Sequence, residues 1–158
     1  METQVSRIRA DNEWYPAYRE GVVYVSKIRV LIVDDSSVAR LALQSILERD
    51  RDIQVVGLAA DGAEGLQKVR ELRPDVVTLD VQMPVMDGLT ALKFIMSQTP
   101  TPVLMVSSTT HQDSRERAEA LALGAVSCIA KPTINGEDLA KISGEIIYRV
   151  KLAHACAQ

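Results

Sequence analysis

Five short runs of β-branched and aliphatic residues recur along the chain: Ile28–Val33, Ile53–Leu58, Asp75–Leu79, Val103–Val106 and Val126–Ile129. Each is apolar at nearly every position, the pattern of a strand covered on both faces inside a parallel sheet. Between them lie amphipathic stretches of helical length. The first runs from about Ser37 to Arg49. The second begins at Asp61 with Glu64 three places on, residue types that cap a helix N-terminus. The third covers Gly88–Ser97, after which Pro100 and Pro102 break the chain ahead of the fourth strand. The fourth spans roughly His111–Leu123 and ends at Gly124, a natural C-terminal cap. The fifth follows Asn135-Gly136 and carries Leu139, Ile142, Ile146, Val150 and Ala153 on one face. Strand and helix alternating five times predict an α/β fold, an open parallel sheet with helices on both faces.

The 158 residues suffice for one such domain and for little else. Hydrophobic residues at 47% supply a globular core, and a net charge of −3 leaves no broad basic surface, so nucleic acid is not expected as a partner. No apolar run approaches the roughly 20 residues of a membrane span. The N-terminus lacks an apolar signal segment, which predicts no membrane association and a cytoplasmic location. Cys128 and Cys156 stand 28 positions apart without Cys/His clustering, against both a disulfide scaffold and a zinc site. Residues 1–27 differ in kind: Trp14, Tyr15, Tyr18 and Tyr24 are four of the chain's six aromatics, charges balance, and no helical or strand period runs through. The expected organisation is an N-terminal extension (1–27), a regular domain (28–153) and a short tail (154–158). The extension reads as a tail or as an arm for self-association, since exposed Trp and Tyr favour interfaces.

In open α/β sheets ligands bind beyond the carboxyl ends of the strands. There the unusual residues collect: Asp34-Asp35 after the first strand, Asp80 after the third, Ser107-Ser108 after the fourth, and Lys131-Pro132 after the fifth. A parallel sheet brings all of them to one edge. Two carboxylates about 4 Å apart repel by ~1–4 kcal/mol at dielectrics of 80 to 20, so three in one pocket need either a proton or a cation. An all-oxygen set with no His or Cys points to Mg²⁺ or Mn²⁺, and the spacing lacks the loop of a calcium hand. A carboxylate beside such an ion, a hydroxyl and a lysine can receive a phosphoryl group as an acyl phosphate. A group that is added and removed, carrying up to about −2 charge, describes a switch.

The phrases Asp34-Asp35-Ser, Pro74-Asp75-Val-Val-Thr-Leu-Asp80-Val-Gln-Met-Pro84-Val-Met-Asp87-Gly88, Val106-Ser107-Ser108, Gly124-Ala125 and Lys131-Pro132 resemble a response-regulator receiver domain over about Ile28 to Val150. Arg73-Pro-Asp-Val-Val-Thr-Leu-Asp80, Thr101-Pro-Val-Leu-Met-Val-Ser-Ser108 and Ile129-Ala-Lys-Pro132 are similar in particular to the receiver half of chemotaxis protein-glutamate methylesterases. The resemblance implies a flavodoxin-like five-stranded sheet of order 2-1-3-4-5, for which a relative in this family is a standard example. It implies Asp80 as phosphoacceptor, with Asp35 ligating Mg²⁺ directly and Asp34 mainly through water. The Gln82 backbone carbonyl would be a further ligand, Ser107 the switch hydroxyl and Lys131 the phosphate-pairing lysine. It implies a sensor histidine kinase as donor, a downstream protein target or a separate effector domain as recipient, and a monomer or phosphorylation-dependent dimer.

Two features depart from that pattern. Cys128 stands three residues before the lysine, where the family usually has an aromatic ring that helps report phosphorylation; it reads as a small buried hydrophobe. A methylesterase also needs a Ser-His-Asp triad, yet the chain has no Gly-x-Ser-x-Gly elbow, and His111 and His154 read as surface residues. Output is therefore expected through protein–protein contact, or the chain is a regulatory fragment of a longer methylesterase. Three other classes compete. A haloacid-dehalogenase-like phosphatase would need Asp-x-Asp after the first strand. A flavin or nucleotide binder would be opposed by the acidic pair there. A degenerate receiver would serve as a scaffold.

Overall fold

Every polar residue singled out at a strand end depends on the order of the strands, and the backbone settles that order. In the computed structural model the described residues are 26–107, 114–131 and 139–157, with backbone alone at 114 and 139; of the N-terminal segment, the backbone of 7–10, 13–16, 18–19 and 22–23 is described. No strand period runs through that segment, yet its described residues pair into two small antiparallel ribbons. In the first, β1 (Arg7–Ala10) and β2 (Glu13–Pro16) set Ile8 opposite Tyr15 and Arg9 opposite Trp14. In the second, β3 (Tyr18–Arg19) pairs with β4 (Val22–Val23). Strands of two to four residues are shorter than any window in which a period can be read, while their Trp, Tyr and Val content carries the β preference.

The remaining strands, β5 (Ile28–Val33), β6 (Ile53–Ala59), β7 (Val76–Asp80), β8 (Val103–Ser107) and β9 (Ser127–Ala130), form one parallel sheet in the order β6-β5-β7-β8-β9. This is the 2-1-3-4-5 arrangement expected. The alternation along each strand divides two cores. Leu31, Val33, Val77, Leu79, Val103 and Met105 face one side, under α2 (Gly62–Leu72), α3 (Gly88–Gln98) and α4 (Ser114–Ala122). Val30, Ile32, Val76, Leu104, Val106 and Ile129 face the other, where α1 (Ser37–Leu47) contributes Leu43, Ile46 and Leu47, and α5 (Leu139–Cys156) contributes Ile146, Val150 and Ala153. Each fully buried Val, Leu, Ile or Met among them is worth about 1.5–3 kcal/mol of transfer free energy.

The helices begin where side chains satisfy their free N–H groups. Ser36 Oγ accepts from Ala39 N, Asp61 Oδ1 from Glu64 N and Asp87 Oδ1 from Thr90 N. After α4, the Ala125 N–H reaches back to the Ala120 carbonyl and the Gly124 N–H to that of Leu121, a Schellman closure that places Gly124 at φ +109°, as its identity predicts. Residues 111–113, where that helix was expected to start, and Asn135-Gly136 lie outside the described residues. Two expectations shift. The third strand includes Asp80, because its backbone stays in the ladder opposite Val106. β6 and β9 are edge strands, with Gln54 on one and Ala130 on the other exposed, so neither is covered on both faces as its apolar sequence suggested.

Candidate functional site

Strand register brings the acidic residues together. Val33 pairs with both Ala59 and Leu79, so Asp34 leaves β5 level with Asp80 at the end of β7. Asp34 is 1% exposed and Asp80 3%, whereas Asp35 is exposed. One carboxylate oxygen from each of the three lies within 4.8 Å of the other two. Lys131, the residue after β9, reaches across: its Nζ donates to Asp80 Oδ2 at 2.9 Å and stands 3.0 Å from Asp34 Oδ2. Its backbone N–H donates to the Ser107 carbonyl at 2.8 Å, which ties the lysine to the end of β8, where Ser107 is half-buried.

These charges compete. Burial is the largest influence on Asp80 and pushes its carboxyl up to about 6; the Lys131 hydrogen bond pulls it down, and the charges of Asp34 and Asp35 push it up again. Burial likewise works against the Lys131 ammonium, but its hydrogen bond to Asp80 and the adjacent Asp34 carboxylate prevail and hold it above the usual lysine value. One lysine against three carboxylates leaves an uncompensated negative pocket. Asp34 Oδ2, though buried and paired in charge with Lys131, accepts no hydrogen bond. An orphaned buried carboxylate oxygen within an all-oxygen cluster fits a hard divalent cation such as Mg²⁺ or Mn²⁺.

The loop between β7 and α3 closes on this edge because two glycines let backbone meet backbone. A Cβ on Gly88 would stand 1.9 Å from the Asp80 carbonyl oxygen, and one on Gly62 would stand 2.4 Å from that of Met86. In their place the Gly88 N–H donates to the Val81 carbonyl at 2.8 Å and the Gly62 N–H to that of Met86 at 3.1 Å. Gln82 lies within this loop, two residues past Asp80. Cys128 on β9 is half-buried against the core shared with α2, α3 and α4, as a small hydrophobe, and burial raises its thiol above the ordinary value. Ser108, Pro132 and His111 lie outside the described residues. His154 on α5 is half-buried rather than the surface residue expected. One participant escaped the sequence reading. Arg40 in α1 donates from Nη1 to the main-chain carbonyl of Asp34 at 2.6 Å. Its only sequence signal is a cation one helical turn past the acidic pair.

Comparison with known proteins gives these features a context. Residues 30–143 match the response regulator receiver domain family. The chain is 49% identical over 129 residues to a protein-glutamate methylesterase/protein-glutamine glutaminase of Caldanaerobacter subterraneus subsp. tengcongensis, a match covering 80% of this chain and 35% of that protein. The chain thus spans about a third of the length of such relatives. Among solved structures it resembles the response regulator domain of Thermotoga maritima CheB, with a TM-score of 0.75, 42% identity, and coverage of 82% of this chain and 97% of that one. It also resembles a chain of the CheX–CheY–BeF3–Mg²⁺ complex of Borrelia burgdorferi, with a TM-score of 0.69, 31% identity, and coverage of 80% and 89%.

Proposed function

The chain belongs to the response regulator receiver domain family, and from that premise we propose that it is a phosphoryl-accepting switch in which Asp80 takes a phosphoryl group from a sensor histidine kinase. The observation that carries the reading is the cluster itself: three carboxylates gathered at one sheet edge, with Lys131 2.9 Å from Asp80 and Ser107 tied to the lysine backbone. Asp35, Asp80 and the Gln82 carbonyl would hold Mg²⁺, or Mn²⁺ in its place, with Asp34 contributing mainly through water. The ion supplies positive charge that offsets the carboxylates and the oxygens of the transferred group.

The residues of the chain divide the remaining work. The Asp80 carboxylate attacks phosphorus; an O–P bond forms as the N–P bond of the donor phosphohistidine breaks, and that electron pair returns to the imidazole. With its carboxyl near 6, Asp80 is ionised and nucleophilic at neutral pH even without a cation. Lys131, already on Asp80, exchanges a carboxylate for a phosphoryl oxygen as partner. Ser107 donates its hydroxyl to another phosphoryl oxygen. Their movement toward the new charge carries the signal to the surface around α4, β9 and α5. The domain limits proposed are 28–153, with residues 1–27 as an appended segment and 154–158 as a short tail, although α5 itself runs on to Cys156. Among the described residues no helix is long and apolar enough to cross a membrane.

A second reading of the output comes from the methylesterase relatives, of which this chain spans about a third: the switch acts on an esterase unit. The test is intact-protein mass after incubation with acetyl phosphate, with and without Mg²⁺, beside Asp80→Asn. A single metal-dependent phosphoryl adduct that the variant lacks is expected. An adduct of equal yield on the variant overturns Asp80 as acceptor, and no adduct with any small phosphodonor leaves a scaffold role instead.

A further inference from the structure

We propose that Arg40 is a positioning residue for the metal-ligating acid pair, holding the Asp34–Asp35 peptide so that the exposed Asp35 carboxylate is aimed at the cation. The inference rests on the metal reading above and extends it to a residue outside the acidic cluster. Asp34 lies one residue beyond the last ladder pair of β5 with β6, where strand pairing no longer orders the backbone. Its amide still donates to the Ala59 carbonyl at 3.0 Å, and its Oδ1 accepts from the Ser36 N–H at 2.9 Å. Its carbonyl is taken by Arg40 Nη1 at 2.6 Å. Among the polar groups of Asp34 only Oδ2, which faces Lys131 at 3.0 Å, makes no hydrogen bond.

A fixed Asp34 carbonyl fixes the plane of the next peptide, because that bond is rigid. Asp35 has no such enclosure: it is exposed, with one carboxylate oxygen within 4.8 Å of those of Asp34 and Asp80, so its direction is left to its backbone. Arg40 is itself well anchored. It is half-buried in α1, its backbone N–H donates to the Ser36 carbonyl at 3.0 Å, and its charge also acts on Glu64 at the start of α2. Fixing a ligand in its bound geometry before the ion arrives lowers the entropy lost on binding.

The sign of one measurement separates this role from the obvious alternative. As a bare positive charge, Arg40 repels a cation, and its removal would tighten metal binding. As an anchor, its removal loosens binding. Mn²⁺ alone is titrated into the full chain, with free Mn²⁺ followed by electron paramagnetic resonance, for wild type, Arg40→Ala, Arg40→Met, Arg40→Lys and Asp35→Asn. Arg40→Ala and Arg40→Met are expected to weaken binding about tenfold, as loss of a residue orienting a metal ligand commonly does. Arg40→Lys, which restores a donor, should recover part of the loss, and Asp35→Asn should bind little. Thermal unfolding in EDTA checks the fold; should the Ala variant not fold, the Met variant keeps the aliphatic stem and decides the question. Wild-type or tighter affinity in the Met variant, with Asp35→Asn impaired, overturns the role of Arg40 alone. Wild type that takes up no Mn²⁺, or Asp35→Asn that binds equally well, overturns the metal reading and this role with it.

Discussion

Val85, three residues before α3, sits at φ 67° with 85% of its surface exposed. A β-branched residue in the left-handed region costs roughly 1–2 kcal/mol, because its Cβ crowds the backbone, and the exposure of Val85 leaves little packing to offset that. Strain of this kind gathers where a site dictates the backbone, and this loop leads from Asp80 and Gln82 to Asp87. Val85→Gly removes the Cβ at an entropic cost of about 0.5–1 kcal/mol. The net gain expected is on the order of 0.5–1 kcal/mol, read as a higher urea midpoint at unchanged m-value. A lower midpoint would mean that the valine side chain contributes something the free chain does not display. Arg73, the other non-glycine residue at positive φ, closes α2, where a left-handed C-cap is ordinary.

At the scale of elements, the join of β7 to α3 is held closely. Asp80 belongs to the ladder, the chain turns through Gln82, and it must return so that Asp87 caps α3 and Gly88 starts it. Gly88 permits the return, since any Cβ would overlap the Asp80 carbonyl. Gly88→Ala should therefore displace the turn rather than merely stiffen it. We expect a loss of about 2 kcal/mol or more, of the size overpacking causes, together with weakened divalent-cation binding. Chemical denaturation and the Mn²⁺ titration read the two effects separately; wild-type behaviour in both would show that the loop has slack absent from this geometry. Gly62, which meets the carbonyl of Met86 in the same loop, couples the start of α2 to this turn.

For the molecule as a whole, the acidic edge is a stability cost in the absence of metal. Asp80 titrates near 6 in the folded chain against 3.8 for an unperturbed aspartate. Between those values the native state holds more protons than the unfolded one, so this residue's contribution falls as pH rises through the window and is fully unfavourable above it. The gap corresponds to a cost on the order of 3 kcal/mol. Asp50, bonded to Lys151 on α5, and Glu64, bonded to the Ala60 amide and Lys68, are held below their ordinary values of 3.8 and 4.5, so they act in the opposite sense and favour the fold above those values. The difference between wild type and Asp80→Asn isolates Asp80. In EDTA the two should have similar stability near pH 4, and the variant should be the more stable above pH 6. A constant gap from pH 4 to 7.5 in denaturation midpoints would contradict the burial assigned to Asp80.

The alternation of five apolar strands with capped helices was readable in the chain alone, because strand and helix periods and cap chemistry are local and survive in a string of letters. Asp61 with Glu64, Gly124 as a closing cap, and the placing of Asp34, Asp35, Asp80, Ser107 and Lys131 at strand ends were all legible there. The strand order and the roles of the cluster came through likeness to a family. The ribbons within residues 7–23 were not legible, since their strands are too short to show a period. What depends on distance across the sheet came from the folded chain. The ladder level of Val33 with Leu79 sets Asp34 beside Asp80. Burial shifts one carboxyl, and backbone contacts make Gly62 and Gly88 necessary. Arg40 on the Asp34 carbonyl belongs with these, because a hydrogen bond to a main-chain oxygen leaves no partner residue type for a sequence to reveal.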